Sequence, residues 1–385
     1  MVSEWKYIPI IDCIELIGGG TPKTSIAEYW GGDIPWLSVK DFNDDYRRVY
    51  KAEKHITESG LNNSSTKLLQ KDDIIISARG TVGEMSMIPF PMAFNQSCYG
   101  IRAKNGMDSI FLYYLLKSSI GQLKQMTHGS VFDTITRDTF ANLIVGVPDE
   151  ETQKVIASIL VALDDKIELN IQLNDNLQQQ VATLFSNLYD HAETEVGFTE
   201  IIQILGGGTP KTGESSYWNG NVPFFTPKDV GTPYTLTTGK AITEEGLAHC
   251  NSRLHPINTV FVTARGTVGK VGLSGVPMAM NQSCYALVGK DTHQLLVYFY
   301  TLKAVDRLKH KASGAVFDAI TTRDFESESI MKLSNDDAKS FLDVAVPMYQ
   351  TILSNSIENL RLATLRDTLL PKLMSGEIDV SDIQL

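Results

Sequence analysis

The chain has 385 residues, of which 43% are hydrophobic and 21% charged, and its formal net charge is −11 at pH 7. This length is enough for two or three domains, each with a core of its own. The sequence has no apolar run of 18 residues and no basic-then-apolar start. These features argue against a membrane span and a signal peptide, and they predict a cytoplasmic protein.

The predicted elements begin with a glycine-rich loop, GGGTPKT at 18–24, whose Gly, Pro and Thr residues are typical of turns. The segment KDDIIIS at 71–77 is typical of a strand, and it leads into a second loop, ARGTVG at 78–83. An amphipathic helix is predicted over 110–126, closed near Gly129. We therefore expect residues 1–150 to form a compact α+β unit with long functional loops.

Residues 151–190 predict a long helix with a coiled-coil seam. Its seam residues alternate in spacing between three and four, which is the heptad pattern. Residues 160–188 would span roughly 42 Å at ~1.5 Å per residue. Polar Asn residues in such a seam commonly fix its register. The seam comprises Leu160, Leu163, Ile167, Asn170, Asn174, Leu177, Val181, Leu184 and Leu188.

The motifs of the first segment then recur in the same order, so residues 191–335 are a second copy of residues 1–150. The period is far longer than that of a solenoid repeat. A strand is predicted at 258–263 and a helix over 293–310. Two copies of one binding surface imply a target with two halves. The second copies are GGGTPKT at 206–212, ARGTVG at 264–269, NQSCY at 281–285 (first at 95–99) and VFD at 316–318 (first at 131–133).

Residues 336–385 predict a second long helix, with Pro371 and Gly376 as its stops. Because each helix follows an equivalent domain, the two are expected to form an antiparallel pair. The alternative is two unrelated surface helices, each packed on its own domain. The apolar residues assigned to the second helix are Ile352, Leu353, Ile357, Leu360, Leu365 and Leu369.

Charge is distributed unevenly along the chain. Residues 1–150 carry 15 basic and 18 acidic side chains, and residues 191–335 carry 13 of each. The two helical segments hold the densest acid excess, which suits protein partners better than nucleic acid. A DNA-binding face must therefore come from clustered cations, because non-specific affinity scales with the phosphates that are neutralised.

No pattern of a catalytic or cofactor site is apparent. GGGTPKT does not fit GxxxxGK[ST], and ARGTVG does not fit GxGxxG. None of the seven histidines is matched between the copies. The four cysteines include no CxxC pair, and Cys98 and Cys284 are predicted to be buried small apolar residues. We expect no cofactor, no metal site, no disulfide framework and no enzymatic activity.

The polar residues that both copies share fit a nucleic-acid surface. Arg79 and Arg265 lie in glycine-flanked loops, where a guanidinium can bind a phosphate or a guanine edge, and the paired amides can bind adenine. The plainer alternatives are a structural salt bridge for each arginine and backbone hydrogen bonds for the amides. The predicted DNA-binding residues are Lys23, Thr24, Lys40, Arg79, Thr81, Asn95, Gln96, Ser130, Thr136 and Arg137, and in the second copy Lys211, Thr212, Lys228, Arg265, Thr267, Asn281, Gln282, Thr321 and Arg323.

The copies differ most between residues 41–55 and 229–240. If shared residues hold phosphates, divergent residues should read bases. The alternative is that these are unconstrained surface loops. The base-reading candidates are Arg47, Arg48 and Lys51 in the first copy, and Tyr234, Thr235 and Thr237 in the second.

The combination of motifs resembles the specificity subunit of type I restriction–modification systems. The resemblance rests on GGGTPKT followed by Tyr29-Trp30 and by Ile34-Pro35-Trp36, on ARGTVG and NQSCYG, and on EETQKVI at 150–156, LDDKI at 163–167 and LLPKLMSGEI at 369–378. It covers essentially the whole chain. One departure is that residues 335–347 lack the family's Pro-Glu-Glu-Gln run, which leaves the start of the second helix open.

The resemblance implies two target-recognition domains, at 1–150 and 191–335, separated by two helical spacer regions at 151–190 and 336–385. Each domain would bind one half of a bipartite double-stranded DNA site. The subunit would be non-catalytic. It would recruit two methyltransferase (M) subunits, which methylate adenine N6 with S-adenosylmethionine, and ATP-dependent restriction (R) subunits. The rival interpretations are a scaffold that binds only proteins and an orphan specificity subunit without a modification partner.

Overall fold

The computed structural model describes residues 5–42, 46–127, 134–231, 233–311, 319–381 and 383. Their contacts divide the chain into two compact units. The first unit combines Met1–Leu169 with Asn359–Leu385, and the second unit is Asn170–Glu358. In the described part of the chain, no helix combines the length and apolar character that a membrane crossing requires.

The helices in the described residues confirm the predicted helical segments. They are α1 (Glu58–Asn62), α2 (Ser109–Thr127), α3 (Arg137–Asn142), α4 (Glu150–Asp190), α5 (Phe198–Ile201), α6 (Glu244–Ala248), α7 (Gln294–Lys311), α8 (Thr322–Glu326) and α9 (Asn335–Met374). The helix predicted over 110–126 is α2, and its counterpart over 293–310 is α7. The long helix predicted over 151–190 is α4, which begins one residue earlier, at Glu150.

Strands fill the rest of each copy. In the first copy they are β1 (Lys6–Pro9), β2 (Ile14–Gly18), β3 (Trp30–Leu37), β4 (Lys54–Ile56), β5 (Leu68–Leu69), β6 (Ile74–Ser77), β7 (Met85–Met87), β8 (Met92–Phe94), β9 (Cys98–Ala103) and β10 (Ile144–Val147). In the second copy they are β11 (Thr194–Gly197), β12 (Ile202–Gly206), β13 (Trp218–Phe225), β14 (Tyr234–Thr235), β15 (Ala241–Ile242), β16 (Val260–Thr263), β17 (Val271–Ser274), β18 (Ala279–Met280), β19 (Cys284–Gly289) and β20 (Ser329–Lys332).

The two copies share one sheet plan. An antiparallel sheet has the order β2-β9-β6-β7 in the first copy, and β12-β19-β16-β17 in the second, where β14 extends it. A smaller mixed sheet has the order β4-β3-β8-β5 in the first copy and β15-β13-β18 in the second. The predicted α+β architecture with two equivalent domains is therefore confirmed.

Strand β6 shows why the isoleucine run forms the centre of its sheet. Ile74 and Ile76 pack with the residues of α2 in one core cluster, whereas Ile75 packs with Leu69 and Phe94 in another. A continuous apolar run is expected where both faces of a strand are covered. Each buried isoleucine contributes about 1.5–3 kcal/mol of transfer free energy. The loops at the ends of this strand are therefore anchored to a strand that is buried on both faces.

The long helices α4 and α9 run antiparallel within each unit. In the first unit Asp164 contacts Arg366, with 2.7 Å between carboxylate and guanidinium, and the Ile167 carbonyl accepts from Asn359 at 3.4 Å. In the second unit Asn170 donates to Glu358 at 2.8 Å, and Asn174 donates to the Ile352 carbonyl at 3.5 Å. In both units the partner number falls as the α4 number rises. The predicted antiparallel pair is confirmed, and the alternative of two unrelated surface helices is wrong.

Two details of the predicted second helix are corrected, and its start lies next to the predicted one. Leu360 and Leu365 are 45% and 47% exposed, so they do not belong to the buried seam. Pro371 does not end the helix, which continues to Met374 because Leu373 and Met374 are held in the core of the first unit. The helix begins at Asn335, where the Ser334 hydroxyl accepts from the Asp337 amide at 3.1 Å.

Candidate nucleic-acid interface

The glycine-rich loop and the Asn-Gln loop contact each other in both copies. The Gly20 amide donates to the Phe94 carbonyl at 2.9 Å, and the Thr21 hydroxyl donates to the Gln96 side chain. In the second copy, Gly208 donates to Met280 at 3.1 Å. The Thr209 hydroxyl donates likewise to Gln282. The same hydrogen bonds therefore join the same two motifs twice.

The ARGTVG loop joins this pair through its backbone. In the first copy the Ala78 amide donates to the Ser97 carbonyl at 2.8 Å, and the Ile135 amide donates to the Ala78 carbonyl at 3.0 Å. In the second copy Ala264 makes the equivalent bonds, to Ser283 at 2.8 Å and from Ile320 at 2.9 Å. The segments that lead into Thr136 and Thr321 are thereby attached to the same surface. We call these four joined loops the shared loop surface of each copy.

The predicted cations on the shared loop surface have exposed side chains. The backbone next to them is fixed, since the Lys23 carbonyl accepts from the Trp30 indole at 3.3 Å and the Lys211 carbonyl accepts from Trp218 at 3.2 Å. Because this backbone is already ordered, the exposed cations can bind phosphates with little further loss of backbone conformational entropy. The exposed residues are Lys23, Thr24, Arg79, Thr81, Gln96 and Arg137, with Lys211, Thr212, Arg265, Thr267, Gln282 and Arg323 in the second copy.

Lys40 and Lys228 occupy equivalent capped turns. The Ser38 amide donates to the Asp41 carboxylate at 2.7 Å, and the Thr226 amide donates to Asp229 at 2.7 Å. Each lysine lies inside the turn and is exposed. The Thr267 hydroxyl donates to the carbonyl of Pro227 at 3.1 Å, which places the second of these turns beside the ARGTVG loop.

Four of the predicted residues make hydrogen bonds that stabilise the local backbone, and this structural role is sufficient to explain them. The Asn95 side chain accepts from the Ser97 amide at 3.1 Å, and Asn281 accepts from Ser283 at 3.0 Å, so both stabilise their own turns. The predicted residue Thr136 is the N-cap of α3, and its counterpart Thr321 is the N-cap of α8. Ser130 and both VFD motifs lie outside the described residues.

The repeated cysteines pack in the core. Burial raises the pKa of the Cys98 thiol to about 12, and burial likewise raises the pKa of the Cys284 thiol to about 12. Both thiols are therefore protonated at neutral pH and unsuited to nucleophilic or metal-binding chemistry. This agrees with the prediction that they are buried small apolar residues.

Three of the six predicted base-reading residues in the divergent segments are buried. Arg47 is only 8% exposed and donates to Asp165 of α4 at 2.7 Å, and Tyr50 donates to Glu168 of α4 at 2.6 Å. In the second copy Tyr234 is 8% exposed, with its ring centroid 6.3 Å from that of Tyr349 on α9. These segments therefore contact a long helix in each copy, α4 in the first and α9 in the second.

The remaining candidates in those segments have mixed environments. Thr235 is buried, so a base-reading role for it is wrong, as it is for Arg47 and Tyr234. Arg48 pairs with Asp72 at 2.8 Å. Lys51 and Thr237 are exposed, and a role in base reading stays a prediction for them.

One loop beside the shared loop surface was not predicted from the sequence. It follows α1 in the first copy and α6 in the second, and it packs against the third glycine of the glycine-rich loop, Gly20 or Gly208. The repeated motif just before it could have identified this loop, because ITESGL at 56–61 recurs as ITEEGL at 242–247. Those motifs supply the N-caps Thr57 and Thr243, each accepting from a glycine amide at 3.0 Å.

Comparison with known proteins agrees with this geometry. The sequence model described as "Type I restriction modification DNA specificity domain" matches residues 2–179 and 194–332. The MjaIX specificity subunit of Methanocaldococcus jannaschii is 25% identical, over 99% of this chain and 95% of that protein. The HindI specificity subunit of Haemophilus influenzae is 25% identical, over 70% of this chain and 77% of its own length.

The fold has a solved counterpart. The crystal structure of the S subunit of a type I restriction–modification system from M. genitalium superposes with a TM-score of 0.63 at 16% identity. The match covers 97% of this chain and 96% of that one. At this level of identity the likeness establishes the arrangement of helices and strands.

Proposed function

The chain belongs to the family of type I restriction–modification DNA specificity domains, and on this premise we propose that it is a non-catalytic subunit that reads a bipartite DNA sequence. Residues 1–150 and 191–335 act as the two target-recognition domains, one for each half-site. The helical segments at 151–190 and 336–385 connect them.

The observation that carries this proposal is the duplicated shared loop surface. Both copies join the same loops by the same backbone hydrogen bonds and expose Arg79 or Arg265 on them. A protein that binds two similar stretches of duplex needs the phosphate-binding frame twice, because phosphate geometry hardly changes with sequence. The exposed cations and hydroxyls supply that frame, and the bases are read from it.

The proposed partners follow from the family. Two M subunits, which use S-adenosylmethionine to methylate adenine N6, and R subunits, which use ATP, assemble with this chain on double-stranded DNA. The chain itself uses no cofactor in this scheme, and among its described residues no group of three His, Cys, Asp or Glu side chains is placed to hold a metal ion. We place this assembly in the cytoplasm.

The test is methylome sequencing of cells that express the chain together with the M subunit encoded beside it. We expect methylated adenine in one motif, made of two short half-sites around a fixed gap of unread bases. Cells that express the M subunit alone are the control, and they should lack the motif. If the complex assembles but no motif appears, and purified complex shows no salt-sensitive DNA binding, the chain is a scaffold for proteins and the proposal fails.

A further inference from the structure

We infer that the loops at 62–67 and 248–253 determine which bases each domain prefers, chiefly through Ser65 and Lys67 in the first copy and Asn251 and Arg253 in the second. This rests on the proposed function and assigns its specificity to named side chains. We call these segments the reading loops.

The two reading loops have the same frame. Thr66 is buried and its hydroxyl donates to the Phe94 carbonyl at 2.8 Å, while the equivalent Ser252 accepts from the Met280 amide at 2.9 Å. The second residue of each loop also hydrogen-bonds to the helix that precedes the loop. Asn63 donates to the Ser59 carbonyl at 2.9 Å, and a ring nitrogen of His249 lies 2.8 Å from the Glu245 carbonyl. The backbone of both loops is thus held in one conformation.

The exposed positions on that frame differ between the copies. Serine at 65 is replaced by asparagine at 251, and lysine at 67 by arginine at 253. All four side chains are exposed, and within the described part of the chain none of them makes a side-chain hydrogen bond or ion pair. A shared buried frame with different, unengaged polar side chains is the pattern expected of loops that bind two different targets.

The reading loops lie directly against the shared loop surface. A Cβ atom added to Gly20 would overlap Ser65, and one added to Gly208 would lie 2.7 Å from the Asn251 amide nitrogen. In the first copy, Ser65 and Lys67 also line an open groove of about 610 Å³ together with Gly18 and Gly19. Residues that meet the phosphate-binding loops at this distance are placed to reach the edges of bases in the same stretch of duplex.

The chemistry of the four side chains supports different preferences. Arg253 can bind guanine O6 and N7 with two parallel hydrogen bonds, and Asn251 can bind adenine N6 and N7 in the same way. Lys67 can also donate to guanine, but its ammonium is a flexible point charge without the planar fork of arginine, and the Ser65 hydroxyl can pair with any base, so both tolerate more bases. Loss of one good bidentate contact is expected to relax discrimination at that base pair by roughly 5- to 150-fold.

The contrast with the divergent segments strengthens the assignment. In residues 46–50 the difference between the copies falls on buried side chains that contact α4, such as Arg47. In the reading loops it falls on exposed side chains that make no side-chain hydrogen bond or ion pair within the described residues. A difference at a buried contact is explained by the helix that the residue touches. A difference at an exposed position of the reading loop has no such neighbour, and we attribute it to the DNA that the loop binds.

The experiment exchanges the two pairs between the copies in the full complex with the M subunit. The variants are S65N/K67R and N251S/R253K, and the probe is a library of duplexes with both half-sites randomised, from which the bound fraction is sequenced. We expect S65N/K67R to change the preferred bases of one half-site only, and N251S/R253K to change those of the other half-site only. The gap length should stay as in the parent.

A matched control replaces another exposed pair of the first copy by its counterparts from the second copy. Tyr7 and Ile144 lie on the β1–β10 ribbon, and their counterparts by strand register are Glu195 and Ser329. The Y7E/I144S variant should select the same duplexes as the parent.

The inference is overturned if either exchanged variant assembles and selects the parent sequence, or if both change the same half-site. It is also overturned if a variant complex assembles but loses all DNA binding, because the residues would then hold phosphates. If the parent complex itself selects no bipartite sequence, the proposed function has failed and takes the inference with it.

Discussion

Gly19 and Gly207 have no room for a side chain. A Cβ atom at Gly19 would overlap the Asn95 carbonyl, and one at Gly207 would overlap the Asn281 carbonyl. Gly18, one residue earlier, has open space around the equivalent position. The second glycine of GGGTPKT is therefore needed for the contact between the glycine-rich loop and the Asn-Gln loop, whereas the first is not.

We predict that Gly19→Ala weakens DNA binding and lowers the free energy of unfolding by about 1–3 kcal/mol, because overpacking forces the two loops apart. Gly18→Ala is the matched control and should change neither quantity appreciably. Duplex affinity of the complex and urea unfolding of the chain would measure both effects. Equal behaviour of the two variants would show that the loops adapt to the added methyl group.

His255 introduces an acid-sensitive group into the second copy. Burial, aided by the charge of Arg253, lowers its pKa to about 4, and its Nε2 is buried without a hydrogen-bond partner among the described residues. In the first copy the equivalent position holds Leu69, since Leu69 pairs with Met92 as His255 does with Met278. The unfolded chain takes up a proton near pH 6.5, and the folded chain does not until the pH approaches 4.

The free energy of unfolding should therefore fall as pH decreases from about 7 to 4, with His255 accounting for about 2 kcal/mol of the loss by pH 5. His255→Leu should remove that part of the loss. Urea unfolding of parent and variant at pH 7 and pH 5 measures the difference. His55→Leu, at an exposed histidine, serves as the control, and an unchanged pH dependence in His255→Leu would contradict the assignment.

At the scale of single residues, identity in both copies predicted which positions are important but not what they do. Asn95 and Gln96 are repeated together, yet Asn95 stabilises its own turn whereas Gln96 is exposed beside Thr21. A sequence motif does not show which side of a turn a side chain faces. That is fixed by the strand pairing of β8 and β9, which involves residues distant in the chain.

The seam of helix α4 was predictable because it is mostly apolar, whereas the seam of helix α9 was predicted only in part because several of its contacts are polar. Arg366 contacts Asp164 in the first unit, and Asp164 also accepts from the Tyr114 hydroxyl at 2.5 Å. In the second unit Asn355 donates to Asn174 at 2.9 Å. Buried polar groups that satisfy one another stabilise a specific register, but a periodicity of apolar residues does not detect them.

Pro347 lies inside α9 and cannot donate a hydrogen bond to the preceding turn. Counting from the starts of the two helices, its counterpart in α4 is Ala162, and both side chains are exposed. Proline costs about 3 kcal/mol relative to alanine inside a helix, and part of this cost is offset because proline also restricts the unfolded chain.

We therefore predict that Pro347→Ala raises the free energy of unfolding by about 1–3 kcal/mol. The reciprocal variant Ala162→Pro should lower it by about 3 kcal/mol or more. Thermal unfolding followed by circular dichroism at 222 nm would compare them with the parent. A destabilised Pro347→Ala would mean that the helix requires the local geometry that proline imposes.

At the scale of the whole molecule, duplication makes a quantitative prediction about DNA binding. If Arg79 and Arg265 each neutralise one phosphate, each change to Ala should reduce the slope of log affinity against log salt by about 0.9. The double variant should lose the sum of the two effects, because distant contacts are usually additive. Fluorescence anisotropy at several salt concentrations measures the slopes. An exposed lysine on α4, changed in Lys154→Ala, is the control, and a slope unchanged in R79A and R265A would remove both arginines from the interface.

The sequence sufficed for the duplication, the two long helices and the loops that both copies share, because each of these leaves a repeated or periodic pattern. It did not suffice for the reading loops or for the attachment of residues 46–50 to α4. Both depend on which exposed or buried face a divergent residue occupies, and sequence differences alone do not distinguish the two cases.

The two units differ in how many stretches of chain they require. The second unit is the unbroken segment Asn170–Glu358, whereas the first unit joins Met1–Leu169 to Asn359–Leu385. Leu370 and Leu373 complete the same core as Ile156 and Leu160. During translation, residues 1–169 therefore leave the ribosome with an uncovered apolar face, while the whole of the second unit is made before residues 359–385, which complete the first unit. The N-terminal unit can therefore complete its core only after residues 359–385 have been synthesised. Until then its apolar face is the one that a nascent-chain chaperone would protect.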